Sequence, residues 1–232
     1  MIRVTIIIFL LFPSFVHAFS KDDVCPITVY ADFSTKKHIT DSTGPFADSP
    51  DGRGYKRMAE FFEDRNLCFK MQYTSWQRVI RSAEMDPNGL IFLILRTEER
   101  EDNFHWITEL TDKSYPVYLF SYDPSGKGPD MAASNKQAIC PINGAQCGML
   151  RKNGFNENEI MEIPRDAGEN ILEMVFRGRG QYFIDHQSTV DLFLKDKTIV
   201  AGSLVKVKEI PLKGTYLAAS KSIDPALLEK LQ

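Results

Sequence analysis

The residues best placed to do chemistry sit at one break, where the apolar run LIFLIL (90–95) gives way to RTEEREDNFHWITEL (96–110). Thr97 suits an N-cap, and Glu98 and Glu99 follow in the first turn, where negative charge meets the positive end of a helix dipole. Arg100 breaks that pattern. A capping box places Glu or Gln three residues after the cap, and a cation there faces the wrong end of the dipole. An anion has to compensate it: either a neighbouring carboxylate such as Glu99 or Asp102, or a negatively charged ligand gripped by the guanidinium. A helix is expected to run on from Thr97, with Phe104 and Trp106 as its packing residues.

Other constellations are weaker. Tyr30, Phe33, Phe46 and Trp76 follow strand-like or loop segments and can serve either as core or as the wall of a ligand site, since rings are buried mainly for packing. Phe46 and Trp76 are the stronger wall candidates. There is no G-x-S-x-G elbow, H-E-x-x-H pair or P-loop, and the four scattered histidines mark no catalytic site by themselves. No zinc site is expected from the cysteine spacing, and no cofactor is implied.

The first 18 residues read as a secretion signal, with Arg3 before an apolar core and a small-residue cleavage site at Val16-His17-Ala18. The apolar run is too short to span a membrane, which takes about 20 residues. An exported chain meets oxidising conditions, so the four cysteines point to disulfides. Cys25 precedes the first expected strand and Cys68 begins the second; if those strands are parallel neighbours, the two cysteines enter the sheet at the same end, which favours that pair. Cys140 and Cys147 either pair locally or remain buried thiols, because a strand-to-helix bridge has to meet a Cα separation of roughly 4.4–6.8 Å. A net charge of −3 and a pI near 5.9 provide no basic stripe for nucleic acid.

The elements that must position these groups alternate. ITVYAD (27–32), CFKMQY (68–73) and LIFLIL (90–95) read as strands, separated by helical runs at 54–66 and 76–85. The alternation restarts after Pro116. Strand-like 117–123, 138–142, 160–164 and 181–185 are interleaved with helical runs ending at Asn153-Gly154 and over 167–178 and 188–194. GTYLAASK and DPALLEKL close the chain as strand and helix. Such an order implies α/β architecture with mostly parallel sheets.

LRTEEREDNFHW is similar to the "T-P-E-R, then F-x-W/F" signature of the family 3 extracellular solute-binding proteins of polar amino-acid ABC importers. ICPINGAQCGMLRKNGF resembles the family's "V-G-V-x-x-G-T/S" element, Pro45-Phe46 its "P-F" loop, and YLAASKSIDPALLEKL its closing strand and helix. The resemblance implies the type II periplasmic binding fold: two α/β lobes joined by a two-strand hinge, with residues 19–117 and 209–232 as the first lobe and 118–208 as the second.

It also implies that Arg100 grips a ligand carboxylate, helped by Thr97 and by the Gly144-Ala145 turn, although Ala145 lacks the family's hydroxyl. Aligning from Gly178-Arg179 puts His186 where the family has an amino-group-binding aspartate, with Asp185 one residue earlier; Leu95 replaces the family's serine. The expected protein is a periplasmic monomer that closes on a small, polar, carboxylate-bearing solute for an ABC permease or a sensor. The alternative is an exported lyase resembling the cyclohexadienyl dehydratases on the same scaffold.

Overall fold

The computed structural model describes residues 25–40, 49–111, 116–127, 129–164, 171–195 and 203–232. The expected secretion signal and the Pro45-Phe46 loop lie outside the described residues. Among the described residues, no helix is long and apolar enough to cross a membrane.

The first sheet is built from β1 (Ile27–Asp32), β2 (Phe69–Thr74), β3 (Gly89–Leu95), β4 (Phe104–Thr111) and β10 (Thr215–Ser220), in the order β2-β1-β3-β10-β4. The second contains β5 (Val117–Tyr122), β6 (Ala138–Pro141), β7 (Ile160–Ile163), β8 (Tyr182–His186) and β9 (Leu204–Ile210), in the order β7-β6-β8-β5-β9. Both follow one plan. Each has a parallel trio, followed by two antiparallel pairings made by the strand that arrives from the other sheet: β10 in the first, β5 in the second. Each sheet is therefore mixed: four strands run one way, and the strand that follows a crossing runs against them.

Helices α1 (Phe33–Thr40), α2 (Pro50–Glu63), α3 (Trp76–Met85) and α7 (Pro225–Leu231) follow strands or loops of the first sheet, and α4 (Ala145–Lys152), α5 (Ile171–Phe176) and α6 (Gln187–Leu194) those of the second. Alternation along β1 shows how both faces are covered. Val29 and Ala31 pack with Met58 and Phe62 of α2, whereas Tyr30 belongs to the cluster on the other face, with Val79 and Ala83 of α3. In the second sheet, Cys140 faces Leu150 of α4 and neighbouring Ile139 faces Leu172 and Val175 of α5.

Several elements depart from the sequence pattern. The helix expected after Thr97 is a single 3-10 turn, Glu98–Arg100, and Phe104 and Trp106 lie on strand β4. The cause is pairing: an aromatic and β-branched stretch lies beside β10, whose residues Ala218 and Ser220 face Trp106 and Phe104 in register. Helix α1 and strand β9 also form where the pattern marks no element. In α1 a side chain nucleates the turn: Asp32 Oδ1 accepts the Ser34 N–H at 2.9 Å and the Ser34 hydroxyl at 2.6 Å. β9 is an edge strand whose lysines suit an unpaired rim. The chain passes from the first sheet to the second between β4 and β5 and returns between β9 and β10.

Both disulfides form. Cys25–Cys68 (Cα–Cα 5.3 Å) joins the amino-terminal ends of the parallel neighbours β1 and β2, while Cys140–Cys147 (5.4 Å) joins β6 to α4. The local pair meets the separation limit because α4 starts immediately after a tight turn. Replacing Cys25 and Cys68 together with Ser is expected to lower the unfolding free energy by about 4 kcal/mol, the chain-entropy value for a loop of that length. Urea titration of the oxidised proteins measures this, and a loss under about 1 kcal/mol would contradict it.

Candidate functional site

The site forms where the carboxyl ends of β3 and β6 face each other. On the first side, Arg96 follows β3, and its guanidinium lies 5.2 Å from the ring centroids of both Trp106 and Tyr216. It forms an ion pair with Glu101, which also accepts from Lys213 at 3.3 Å. The hydrogen bond from Arg96 is the main reason the Glu101 carboxyl is held at about 2. Trp106 Nε1 donates to Glu101 O at 3.1 Å. The Arg96–Glu101 pair thus closes the short segment that carries Thr97 and Arg100.

From that segment Arg100 reaches across. Its Nη1 donates to Leu95 O at 3.3 Å, its Nη2 donates to Asn143 O at 3.1 Å, and its guanidinium stands 5.8 Å from the Trp76 ring centroid. Buried Trp76, the first residue of α3, donates its Nε1–H to the same Asn143 oxygen at 3.1 Å. Glu99, one of the two acids expected from the sequence as a partner for Arg100, is paired with Lys152 of α4 at 2.6 Å.

On the second side, β6 ends at Pro141 and the chain turns through Asn143, whose φ of 58° is left-handed. Gly144 is the residue before α4, its N–H donating to Pro141 O at 2.8 Å. A Cβ on Gly144 would lie 2.6 Å from Pro141 Cγ and 2.8 Å from Pro141 O, so only glycine fits this turn without displacement. The Cys140–Cys147 disulfide brackets it.

Three helical starts therefore meet around Arg100: α3 after Ser75, the 3-10 turn after Thr97, and α4 after Gly144. None has a side-chain cap, whereas Ser49 and Asp224 do cap α2 and α7. Uncapped first-turn N–H groups beside a guanidinium form a donor-rich, positively polarised place suited to an anion. Unpartnered acceptors stand at the carboxyl end of β1 and in the first turns of α4 and α6. Asp32 ends β1 and is buried, with Oδ2 unpartnered; Gln146 Oε1 in the first turn of α4, and Gln187 Oε1 and Ser188 Oγ in the first turn of α6, are likewise buried without partners.

A cavity of about 410 Å³ adjoins at the two crossings, lined by Leu95, Thr111, Val117, His186, Lys213 and Gly214 among others. Leu95, whose carbonyl receives Arg100, is common to both places. Of the residues singled out from sequence, the structure brings together Arg100, Thr97, Trp76, Gly144 and Ala145. His186 lines the hinge cavity. Asp185 does not line it, and its Oδ1 accepts the His186 N–H at 2.7 Å. Tyr30 stands apart: its hydroxyl donates to Asp86 Oδ2 at 3.0 Å, past the far end of α3 and roughly 15 Å along the helix from Trp76. Burial and this acid push its phenol up to about 12. Phe46 lies outside the described residues.

Asn143, Arg96, Glu101, Lys152 and Asp32 were not singled out from sequence. The Asn143-Gly144 dipeptide is a turn signature that points to Asn143; the others depend on partners distant in the chain. Among the described residues, Cys140, Cys147 and Glu162 are close enough to share a metal ion, but both sulfurs are committed to the disulfide.

No protein-family model matches this sequence, and no curated protein does. Solved structures show the fold. A periplasmic His/Glu/Gln/Arg/opine family-binding protein from Silicibacter pomeroyi, in complex with lysine, superposes with a TM-score of 0.63 at 13% identity, covering 88% of this chain and 87% of that one. Holo ArgBP from T. maritima gives 0.59 at 15%, covering 88% and 86%. A histidine kinase sensor domain with similarity to periplasmic binding proteins gives 0.63 at 15%, covering 88% and 86%. The chain has the two-lobed fold of the periplasmic binding proteins.

Lys152 also bridges to Glu98 at 3.2 Å, and its bond to Glu99 is the main reason that carboxyl is lowered to about 2. Because a lowered carboxyl stabilises the paired state above its ordinary value near 4.5, the contribution should be complete at neutral pH, decline below about 4.5 and vanish near 2. Both side chains are more than half exposed, so solvent screens the pair. A Glu99→Gln/Lys152→Ala double-mutant cycle is expected to give a coupling below about 1 kcal/mol at neutral pH that fades in high salt. Salt-insensitive coupling of several kcal/mol would contradict this.

Proposed function

We propose that this chain is a periplasmic solute-binding protein that closes its two lobes around a small, polar, carboxylate-bearing molecule of amino-acid type. The observation that carries the reading is Arg100 set among three uncapped helical starts from both lobes. A ligand carboxylate would take the guanidinium in place of the Asn143 carbonyl and draw first-turn N–H groups from α3 and α4. A charge-assisted fork of this kind is about twice as strong as a neutral hydrogen bond. Buried acceptors on Asp32, Gln146 and Gln187 would receive N–H donors, which favours a zwitterion over a simple anion. The structural neighbours described as binding lysine and arginine support an amino-acid ligand.

Residues 19–117 and 209–232 would form one lobe and 118–208 the other, with 1–18 removed on export. A ligand that touches both lobes shifts the population toward closure in proportion to its preference for the closed state. The closed monomer would then engage an ABC permease or a sensor, and the sensor-domain neighbour keeps the second partner in view. The lyase reading draws no support from this geometry, whose groups hold charge rather than move protons.

The test is a thermal-shift and calorimetric screen of amino acids, amines, dicarboxylates and short peptides. A true ligand at 100 times its dissociation constant adds about 2.7 kcal/mol of stability. Arg100→Ala is expected to weaken its binding by about 2–5 kcal/mol. Unchanged affinity in that variant would remove Arg100 from the site, and aromatic product from a cyclohexadienyl acid would restore the lyase.

A further inference from the structure

We infer that the Cys140–Cys147 disulfide is a positioning device for the crevice: it holds the turn between β6 and α4 in the shape that presents the Asn143 carbonyl to Trp76 and Arg100. The inference deepens the ligand-site reading and rests on it for its biological meaning, while its physical content concerns only this turn and the lobe opposite.

The bridge encloses the contact turn and little else. Cys140 is the third residue of β6 and Cys147 the third of α4, both buried, and the residues between them are Pro141, Ile142, Asn143, Gly144, Ala145 and Gln146. A fully extended run over those seven steps would span roughly 23–25 Å. The bridge holds its ends at 5.4 Å between Cα atoms. Within the loop the backbone is crowded: Gly144 N–H donates to Pro141 O at 2.8 Å, Cys147 N–H donates to Gly144 O at 3.3 Å, and no room remains for a Cβ on Gly144.

Asn143 is the point at which this confinement has an effect. Asparagine tolerates the left-handed region but does not require it, so residue type alone leaves right-handed and extended alternatives open. Those alternatives rotate the next peptide and turn its carbonyl away. Trp76 Nε1–H and Arg100 Nη2–H both end on that oxygen at 3.1 Å, so a change of backbone conformation at this one residue would lose two contacts between the lobes together. Cys25–Cys68 cannot act in this way, because it lies at the amino-terminal ends of β1 and β2, at the other end of the first sheet from the crevice.

The decisive readout is the Trp76 indole N–H in proton–nitrogen NMR, one of two such signals in the protein, assigned by comparison with a Trp106→Phe variant. In the oxidised, ligand-free protein, Cys140→Ser/Cys147→Ser is expected to reduce hydrogen-exchange protection of that N–H about tenfold or more relative to the core amides, and Cys25→Ser/Cys68→Ser to leave the ratio unchanged. Trp76 protection that is unchanged, or falls only in step with the core amides, would overturn the inference. Should the Cys140/Cys147 variant not fold, the Cys25→Ser/Cys68→Ser protein is read before and after reduction of its remaining bridge, with free-thiol titration reporting that the bridge has opened. Reduction is expected to lower Trp76 N–H protection relative to the core amides about tenfold or more, and an unaltered ratio in the reduced protein would overturn the inference equally. A parallel titration of wild type with L-lysine and L-arginine separates the two ideas: no binding counts against the ligand reading alone, since the indole signal is read without ligand.

Discussion

One carbonyl oxygen of the second lobe receives two donors from the first. Trp76 and Arg100, on different elements of the first lobe, both donate to Asn143 O of the second, and that oxygen points their way because Asn143 lies in the left-handed region. A backbone carbonyl has two lone pairs and accepts both donors without requiring either to leave. The guanidinium and the indole thereby share one partner across the crevice, with Arg100 lying near the Trp76 ring. A ligand carboxylate would have to compete for this same geometry.

Each lobe secures its half of the contact by closing a short loop, with different chemistry. In the first, Arg96 and Glu101 form an ion pair beside Trp106 and Tyr216, holding the segment that carries Thr97 and Arg100. In the second, a covalent bridge holds the turn that carries Asn143 and Gly144. Among the described residues, the polar contacts between lobes include weaker ones: two hydrogen bonds to a carbonyl and the solvent-exposed Lys152 pairs. Firm loops joined by weak cross-contacts suit a molecule that opens and closes, since the lobes can part without either side of the site losing its shape.

The strands and helices that frame the site were legible in the residues. The strand at 27–32 and the helix at 76–85 coincide with β1 and α3, because a buried β-branched run and a strongly amphipathic helix carry their partners' positions in their own periodicity. The segment after Thr97 was not legible. Its acids and threonine signal a helix start, but pairing of Phe104 and Trp106 with β10, more than 100 residues away in sequence, outweighs local preference. Tyr30 shows the same limit: its position at the end of a strand fits a ligand wall, yet its side chain lies in the core against α3 and its hydroxyl is taken by Asp86.

Residue order alone establishes that an unbalanced arginine comes after an acidic turn, that an Asn-Gly pair precedes a helix, that four cysteines are available to pair, and that two α/β units lie in succession. These are local facts, set by propensity, capping and period over a few turns of chain. It took the folded chain to bring Arg100 to Asn143, to close Cys147 on Cys140 around that turn, and to set beside each parallel trio the strand that follows a crossing. Such pairings depend on where distant segments come to rest, and residue types alone leave many partners equally acceptable until burial and hydrogen bonding choose among them.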